Sequence, residues 1–398
     1  MTIEAGKTPS RAPKIRLGMV GGGAGAFIGG VHRMAARLDD RFDLVAGALS
    51  STAEKSLASG LELGLDPARC YGSFEEMADK ESARPDGIEA VSIVTPNHVH
   101  YPAAKAFLER GIHVICDKPL TSTLDDALKL KTVADQSKAL FILTHNYTGY
   151  PMVRHARELV QNGELGEIRL VQMEYPQDWL TEAVEQTGAK QAVWRTDPAQ
   201  SGLGGSTGDI GTHAYNLGCF ISGLTLDELA ADVHTFVEGR RLDDNAHVML
   251  RFKAKGSDRP AKGLLWCSQV APGNENGLKV RVYGAKAGLE WVQADPNYLW
   301  LTRLGEPKQL ITRGGAGAGA AAARVTRIPG GHPEGYLEAF ATIYTEAAHA
   351  IHAARSGAPV DPAVMYPTID DGVKGVRFIE ACLASSEQNG AWVSLAPT

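Results

Sequence analysis

The chain of 398 residues lacks most features that mark secreted, membrane-bound and nucleic-acid-binding proteins. It has five cysteines, Cys70, Cys116, Cys219, Cys267 and Cys382, an odd number with no CxxC pair. Neither a disulfide framework nor a zinc knuckle follows from that set, and the thiols are read as reduced. No run of about 18 apolar residues occurs, so there is no candidate membrane helix. The opening MTIEAGKTPSRAPK is polar and has no apolar signal core, and a cytoplasmic location is expected. Basic charge is not in excess: 40 Lys and Arg stand against 46 Asp and Glu, a net −6, which gives no electrostatic reason to bind nucleic acid or an anionic membrane. No internal repeat is visible. A small polar ligand is the expected partner.

What is present is a well-packed composition, 44% hydrophobic and 22% charged. The length exceeds the roughly 250 to 300 residues at which a single core stops growing, so two domains are expected. Between Lys14 and Asn146, apolar strands (KIRLGMV, FDLVAGALS, IEAVSIVT, IHVICDKP, ALFILTH) alternate with helical patterns, which predicts a doubly wound parallel sheet over 14–146. From GEIRLVQMEY onward the strands are longer and alternate in polarity, as in HVMLRF, KGLLWCSQV and LKVRVYG. They predict an α+β domain over 147–398 with a mixed, mostly antiparallel open sheet. Two helices close the chain. The run GGAGAGAAAA (Gly314 to Ala323) is expected to be a mobile surface loop without core.

GGGAGAFIGGVHR (Gly21 to Arg33) follows a predicted strand and precedes a predicted helix. That is the setting of a dinucleotide fingerprint, where glycine lets the backbone approach a pyrophosphate at a helix N-terminus. Gly21 and Gly23 fit the first two glycines of GxGxxG, and the third is best placed at Gly29, three residues late. Ala24, Phe27 and Ile28 lie in this lengthened loop and are expected at the cofactor. The second strand ends in ALSSTAEK, with Ser50 and Ser51 where an NAD enzyme carries a ribose-binding carboxylate. Their hydroxyls with Lys55 suit a 2′-phosphate, whereas a solvated lysine is the plain alternative, so NAD and NADP both stay open.

TPNHVH and CDKPL end two neighbouring predicted strands, where ligands meet an open parallel sheet. Thr95, Pro96, Asn97 and His100 from the first and Asp117 and Lys118 from the second are expected to face one crevice. An ammonium group there can stabilise an alkoxide as a hydroxyl loses its proton; the alternative is a lysine on a turn. GGSTGDIGTHAYNLGCF leads from a glycine-rich loop into a helix that sets Asp209 and His213 at i and i+4. The carboxylate can orient the imidazole, and the imidazole can serve as base. A helix cap with a buried histidine, or two ligands of a metal with no third nearby, are the other readings; no metal is expected.

This ordered set, with GIHVICDKPL and WRTDP, resembles the glucose–fructose oxidoreductase, inositol dehydrogenase and rhizopine catabolism family (Gfo/Idh/MocA) over nearly the whole chain. The resemblance implies an NAD(P)-binding Rossmann domain, then a substrate domain whose open sheet forms a homo-oligomer interface, dimer or tetramer. It implies Lys118 as the catalytic lysine, His213 as the catalytic histidine and Asp209 as its acidic partner, with Asp117 in place of the usual glutamate and Lys118–Pro119 as a cis peptide. Tyr147, Trp194, Arg195 and His332 resemble pocket-lining positions. The activity implied is hydride transfer between a ring CH–OH, C3 foremost, of a sugar, glycoside or cyclitol and nicotinamide C4. Two alternatives stand beside it: a glycosidase that uses the same cofactor without net consumption, through oxidation, elimination, hydration and re-reduction, and a nucleotide-binding sensor without chemistry.

Overall fold

Five short strands, β1 (Ile15–Gly21), β2 (Phe42–Ala48), β3 (Ala90–Val94), β4 (His113–Cys116) and β5 (Phe141–Leu143), pair only in parallel, in the order β2-β1-β3-β4-β5. All five residues of β3 and all four of β4 are buried, which is why they read as unbroken apolar runs. The computed structural model describes residues 12–253 and 259–395, so the polar start at 1–11 lies outside the described residues. The crossovers carry helices α1 (Phe27–Leu38), α2 (Ala53–Glu62), α3 (Phe74–Ser82), α4 (His100–Leu108) and α5 (Leu124–Gln136). Thr52, Ser73 and Thr123 cap α2, α3 and α5 with their hydroxyls, as their position before an apolar-periodic run requires. The sheet order reverses at β1, which opens a crevice between the carboxyl ends of β1 and β3.

After α6 (Pro151–Gln161) the second sheet begins with β6 (Ile168–Pro176). Three short helical segments follow: α7 (Lys190–Arg195), α8 (Pro198–Ser201) and α9 (Thr212–Ser222). The sheet is completed by β7 (Leu226–His234), β8 (Asn245–Phe252), β9 (Lys262–Ser268), β10 (Lys279–Gly284), β11 (Ala287–Val292), β12 (Tyr298–Arg303), β13 (Gln309–Thr312) and, at the end of the chain, β14 (Val393–Ser394). Its order is β13-β12-β11-β10-β6-β9-β8-β7-β14, with β6 and β9 parallel and the other pairs antiparallel. The expected mixed, mostly antiparallel sheet is therefore present. One of its faces packs on helices; the other presents Leu170, Met249, Leu264 and Leu310, which are 44–52% exposed.

Only part of the run Gly314 to Ala323 is the surface loop its composition suggested, residues 314–319. Ala320–Val325 form helix α10, whose Ala322 is fully buried. Alanine is the best helix former, and α6 supplies the cap that the sequence does not show: the Gly319 N–H donates to His155 Nδ1 (3.1 Å) and the Ala321 N–H to Glu158 Oε1 (3.4 Å). The last helices, α11 (Tyr336–Ser356) and α12 (Ile369–Glu387), return to the first sheet. Phe340, Ile343 and Tyr344 of α11 share a core with Ile15, Leu17 and Val31, and Ile369, Val373 and Val376 of α12 share one with α4 and α5. The packing thus divides the chain less simply than its strands do. Among the described residues no helix is long and apolar enough to cross a membrane, and all five cysteines are unpaired.

Candidate active site

A cleft of about 960 Å³ runs along the crevice, lined by Gly21, Gly23, Ala24 and Ile28, then Ser50, Ser51 and Lys55, then Thr95, Pro96 and Asn97, and at its far end Asp117, Lys118, Trp194, Arg195 and Asp209. Its first part suits a dinucleotide. Gly21 and Gly22 take φ of +77° and +74°, the left-handed region that favours glycine. A Cβ on Gly23 would stand 2.5 Å from the Leu49 carbonyl oxygen, and one on Gly29 would stand 2.4 Å from the Cα of Gly22. Gly29 is therefore the glycine that lets α1 lie against the loop, despite its late position. Ala26, at the N-cap of α1, offers no side-chain acceptor, and the first turn holds no acidic residue. The N–H groups of that turn are left for an external anion, as a pyrophosphate site needs.

Two residues expected at the cofactor stand elsewhere. Phe27 is 66% exposed and outside the cleft lining, because the first position of α1 faces solvent. His100 is fully buried behind the wall, its Nδ1 2.8 Å from the Pro119 carbonyl oxygen and its Nε2 3.0 Å from that of Thr95. It ties together the two turns that carry the crevice residues.

Lys118 lies two residues beyond β4 and is joined to Pro119 by a cis peptide. Its ammonium donates to Asp209 Oδ1 (2.8 Å) and to the Asp209 carbonyl oxygen (2.6 Å). Asp117 Oδ1 accepts from the Lys118 N–H (2.9 Å) and the Thr144 hydroxyl (3.0 Å), so the shorter acidic side chain still braces the lysine backbone. Asp209 Oδ2 accepts from Gln269 Nε2 (2.9 Å) and lies 3.4 Å from Arg195 Nε. Burial by itself would raise the Asp209 carboxyl, but the Lys118 and Arg195 cations hold it well below the usual carboxylate range. Arg195 also stacks over Trp194, 4.3 Å from guanidinium carbon to ring centre.

The glycine-rich loop at 202–205 leads into helix from Ser206, as expected, and Thr207–Gly211 make a π-helical turn that runs into α9. The buried Asp243 fixes it, accepting from the Gly205 and Thr207 N–H groups and from the Ser206 and Thr207 hydroxyls at 2.6–3.0 Å. Asp209 and His213 both ride on this helix, yet the expected contact between them is absent, because the carboxylate is taken up by Lys118, Gln269 and Arg195. His213 packs instead against Tyr147, with ring centres 4.8 Å apart, and meets His145 with their Nδ1 atoms 3.5 Å apart. Burial, Lys118 and His145 together push its imidazole well below its ordinary value, so it is neutral at pH 7.

Tyr147 is buried; its hydroxyl bonds that of Tyr175, which donates to Asn276 Oδ1 (2.8 Å). His332 is not brought to the site: it is exposed in the turn before α11, where its carbonyl oxygen accepts from Arg313. His145, Gln269 and Asp243 escaped the motif reading. His145 had one signal, its place just beyond the carboxyl end of a parallel strand, where crevice residues gather. Among the described residues no three His, Cys, Asp or Glu side chains group as a metal site.

A switch-point crevice with a glycine cradle, a lysine held by Asp209 at its inner end, a buried histidine one helical turn beyond that aspartate, and a second open-faced sheet define a dinucleotide-dependent oxidoreductase. Residues 15–145 match the oxidoreductase family's NAD-binding Rossmann fold, and residues 153–290 match the GFO/IDH/MocA C-terminal domain. The chain belongs to the Gfo/Idh/MocA family. It is 37% identical to the uncharacterized oxidoreductase YfiI of Bacillus subtilis, over 95% of this chain and 96% of that one. An oxidoreductase of Sinorhizobium meliloti of known crystal structure is 67% identical, with a TM-score of 0.87 over 96% of this chain and all (100%) of that one. The structure of an inositol dehydrogenase homolog from Azotobacter vinelandii, complexed with NADH and myo-inositol, is 37% identical, with a TM-score of 0.88 over 96% of this chain and 98% of that one.

Proposed function

We propose that this protein oxidises a ring CH–OH of a cyclitol, with sugars as the wider substrate class, using NAD(P). The observation that carries this reading is the Lys118–Asp209 pair at the inner end of the dinucleotide cleft, with His213 one helical turn beyond Asp209. Bound in the cleft, the nicotinamide supplies the hydride acceptor. Lys118 holds the substrate oxygen and offsets its charge as it becomes a carbonyl. Asp209 holds that ammonium in the cleft through its carboxylate and its carbonyl oxygen. The neutral His213 takes the hydroxyl proton, and Arg195 and Trp194 offer a donor and a flat face to the ring. The likeness to a structure that holds myo-inositol supports a cyclitol.

The test is to incubate the purified protein with NAD+ or NADP+ and a panel of inositols, aldoses and chromogenic glycosides. Reduced nicotinamide should accumulate with an inositol and no aglycone should appear. Aglycone release without net reduction would make it a glycosidase, and binding without either reaction would leave a sensor. We also infer that two copies meet through the exposed sheet face, where Leu170, Met249, Leu264 and Leu310 form an apolar surface that a monomer would leave wet.

A further inference from the structure

We propose that His145, not Asp209, is the residue that positions His213 as a base and shares the proton it receives. This rests on the dehydrogenase reading above. His145 follows β5, and its backbone is fixed on both sides: its N–H donates to the Leu143 carbonyl oxygen (3.0 Å), and its own carbonyl oxygen accepts from the Thr148 N–H (3.2 Å) and hydroxyl (2.9 Å). The two imidazoles are buried, stand at 80° to each other and face each other through Nδ1.

A count of protons gives the roles. A bond between two Nδ1 atoms needs one proton and one lone pair. If His145 supplied the proton, a neutral His213 would carry its own on Nε2 and have nothing left with which to take a hydroxyl proton. Only the opposite arrangement makes a base: His213 donates from Nδ1, its Nε2 is a lone pair, and His145 carries its proton on Nε2. When the substrate O–H bond breaks, its proton joins His213 Nε2, the carbon's hydride leaves to the oxidised nicotinamide, and the C–O bond becomes C=O. The resulting imidazolium keeps donating from Nδ1 to the His145 lone pair, which spreads its charge. Asp209 is not placed to do this, since both of its oxygens are committed to Lys118, Gln269 and Arg195.

The groups that face the pair agree with a neutral resting state. Lys118 acts on both rings, Asp117 partly offsets it at His145, and the buried rings of Tyr147 and Tyr175 pack on His213. Burial followed by Lys118 brings His145 down to about 3.

Two measurements test the proposal. Nitrogen-15 NMR of the substrate-free wild-type protein should find the Nδ1–H tautomer at His213 and the Nε2–H tautomer at His145; the reverse pair would overturn it whatever the substrate is. In kinetics, His145→Ala should lower kcat by about 10²-fold while dinucleotide affinity stays within about twofold, and it should move the acid limb of the kcat/KM profile. His145→Asn, whose amide oxygen can replace the Nδ1 lone pair, should regain most of the rate. Equal losses in both variants, or a His145→Ala enzyme at near wild-type rate, would overturn it. Wild-type protein inactive on the whole panel would instead refute the dehydrogenase reading, while the tautomers still decide the geometry.

Discussion

The ion pair between Lys118 and Asp209 is only 13% and 19% exposed on its two side chains, so the Asp209 carboxylate depends on the cations of Lys118 and Arg195. Lys118→Ala should cut turnover by about 10²-fold or more and leave dinucleotide binding largely intact, because the glycine cradle is built from other residues. Stopped-flow hydride transfer with a separate cofactor titration checks both halves, and turnover near wild type would remove Lys118 from the chemistry. His213 is held below its ordinary value by burial, Lys118 and His145. A base works when neutral, so alcohol oxidation should persist as pH falls through about 6.5 and decline only further down. An acid limb centred near 6.5 would show that this imidazole is not the base in that environment.

At the scale of single elements, helix α1 offers a matched pair of substitutions. Gly29 and Gly30 are adjacent, but a Cβ on Gly29 meets the Gly22 backbone at 2.4 Å, whereas on Gly30 the nearest atom, Arg33 Nη2, is 3.9 Å away. Gly29→Ala should lower unfolding free energy by about 3 kcal/mol and weaken dinucleotide binding, because backbone cannot move aside as a side-chain tip can. Gly30→Ala should raise stability by about 0.5 to 1 kcal/mol from helix propensity alone. Chemical denaturation of the two variants reads the sign directly; equal effects would mean that α1 can slide off the loop.

At the scale of the whole molecule, the parts are joined by the returning helices. His32 of α1 lies 2.8 Å through Nδ1 from the Tyr344 hydroxyl on α11, and Arg327 pairs with Asp39, whose carboxylate also accepts from Thr345. Burial brings His32 and His113 down to about 4, below the unfolded value near 6.5. The folded state therefore binds fewer protons than the unfolded state between those values. The stability from keeping these rings neutral is full above about 6.5 and falls with pH down to about 4, by about 2 kcal/mol per histidine at pH 5. Urea midpoints at pH 7.5 and 5 measure this, and a flat profile would refute it. For the sheet face, Leu264→Asp with Met249→Asp should turn an oligomer into a monomer in light scattering, since both side chains are about half exposed in the single chain. A wild-type monomer at micromolar concentration would dismiss that interface.

Local sequence determined the strands and helices of the first sheet, because their periods and capping residues act over a few positions: β3 reads as a buried run and Thr52, Ser73 and Thr123 announce helices. It also marked the cradle glycines, Lys118 and Asp209, each beside a turn whose chemistry is local. Only the tertiary structure decided what those groups touch. Asp209 turned to Lys118 and Gln269 rather than to His213 four residues on, and His145 came to His213 from 68 residues away. The helix at Ala320–Val325 depends on caps from α6, and the first sheet's outer layer on α11, more than 300 residues beyond β1. Such partners are chosen by packing and by the need to satisfy buried polar groups, which act through space and leave no periodic trace in the chain.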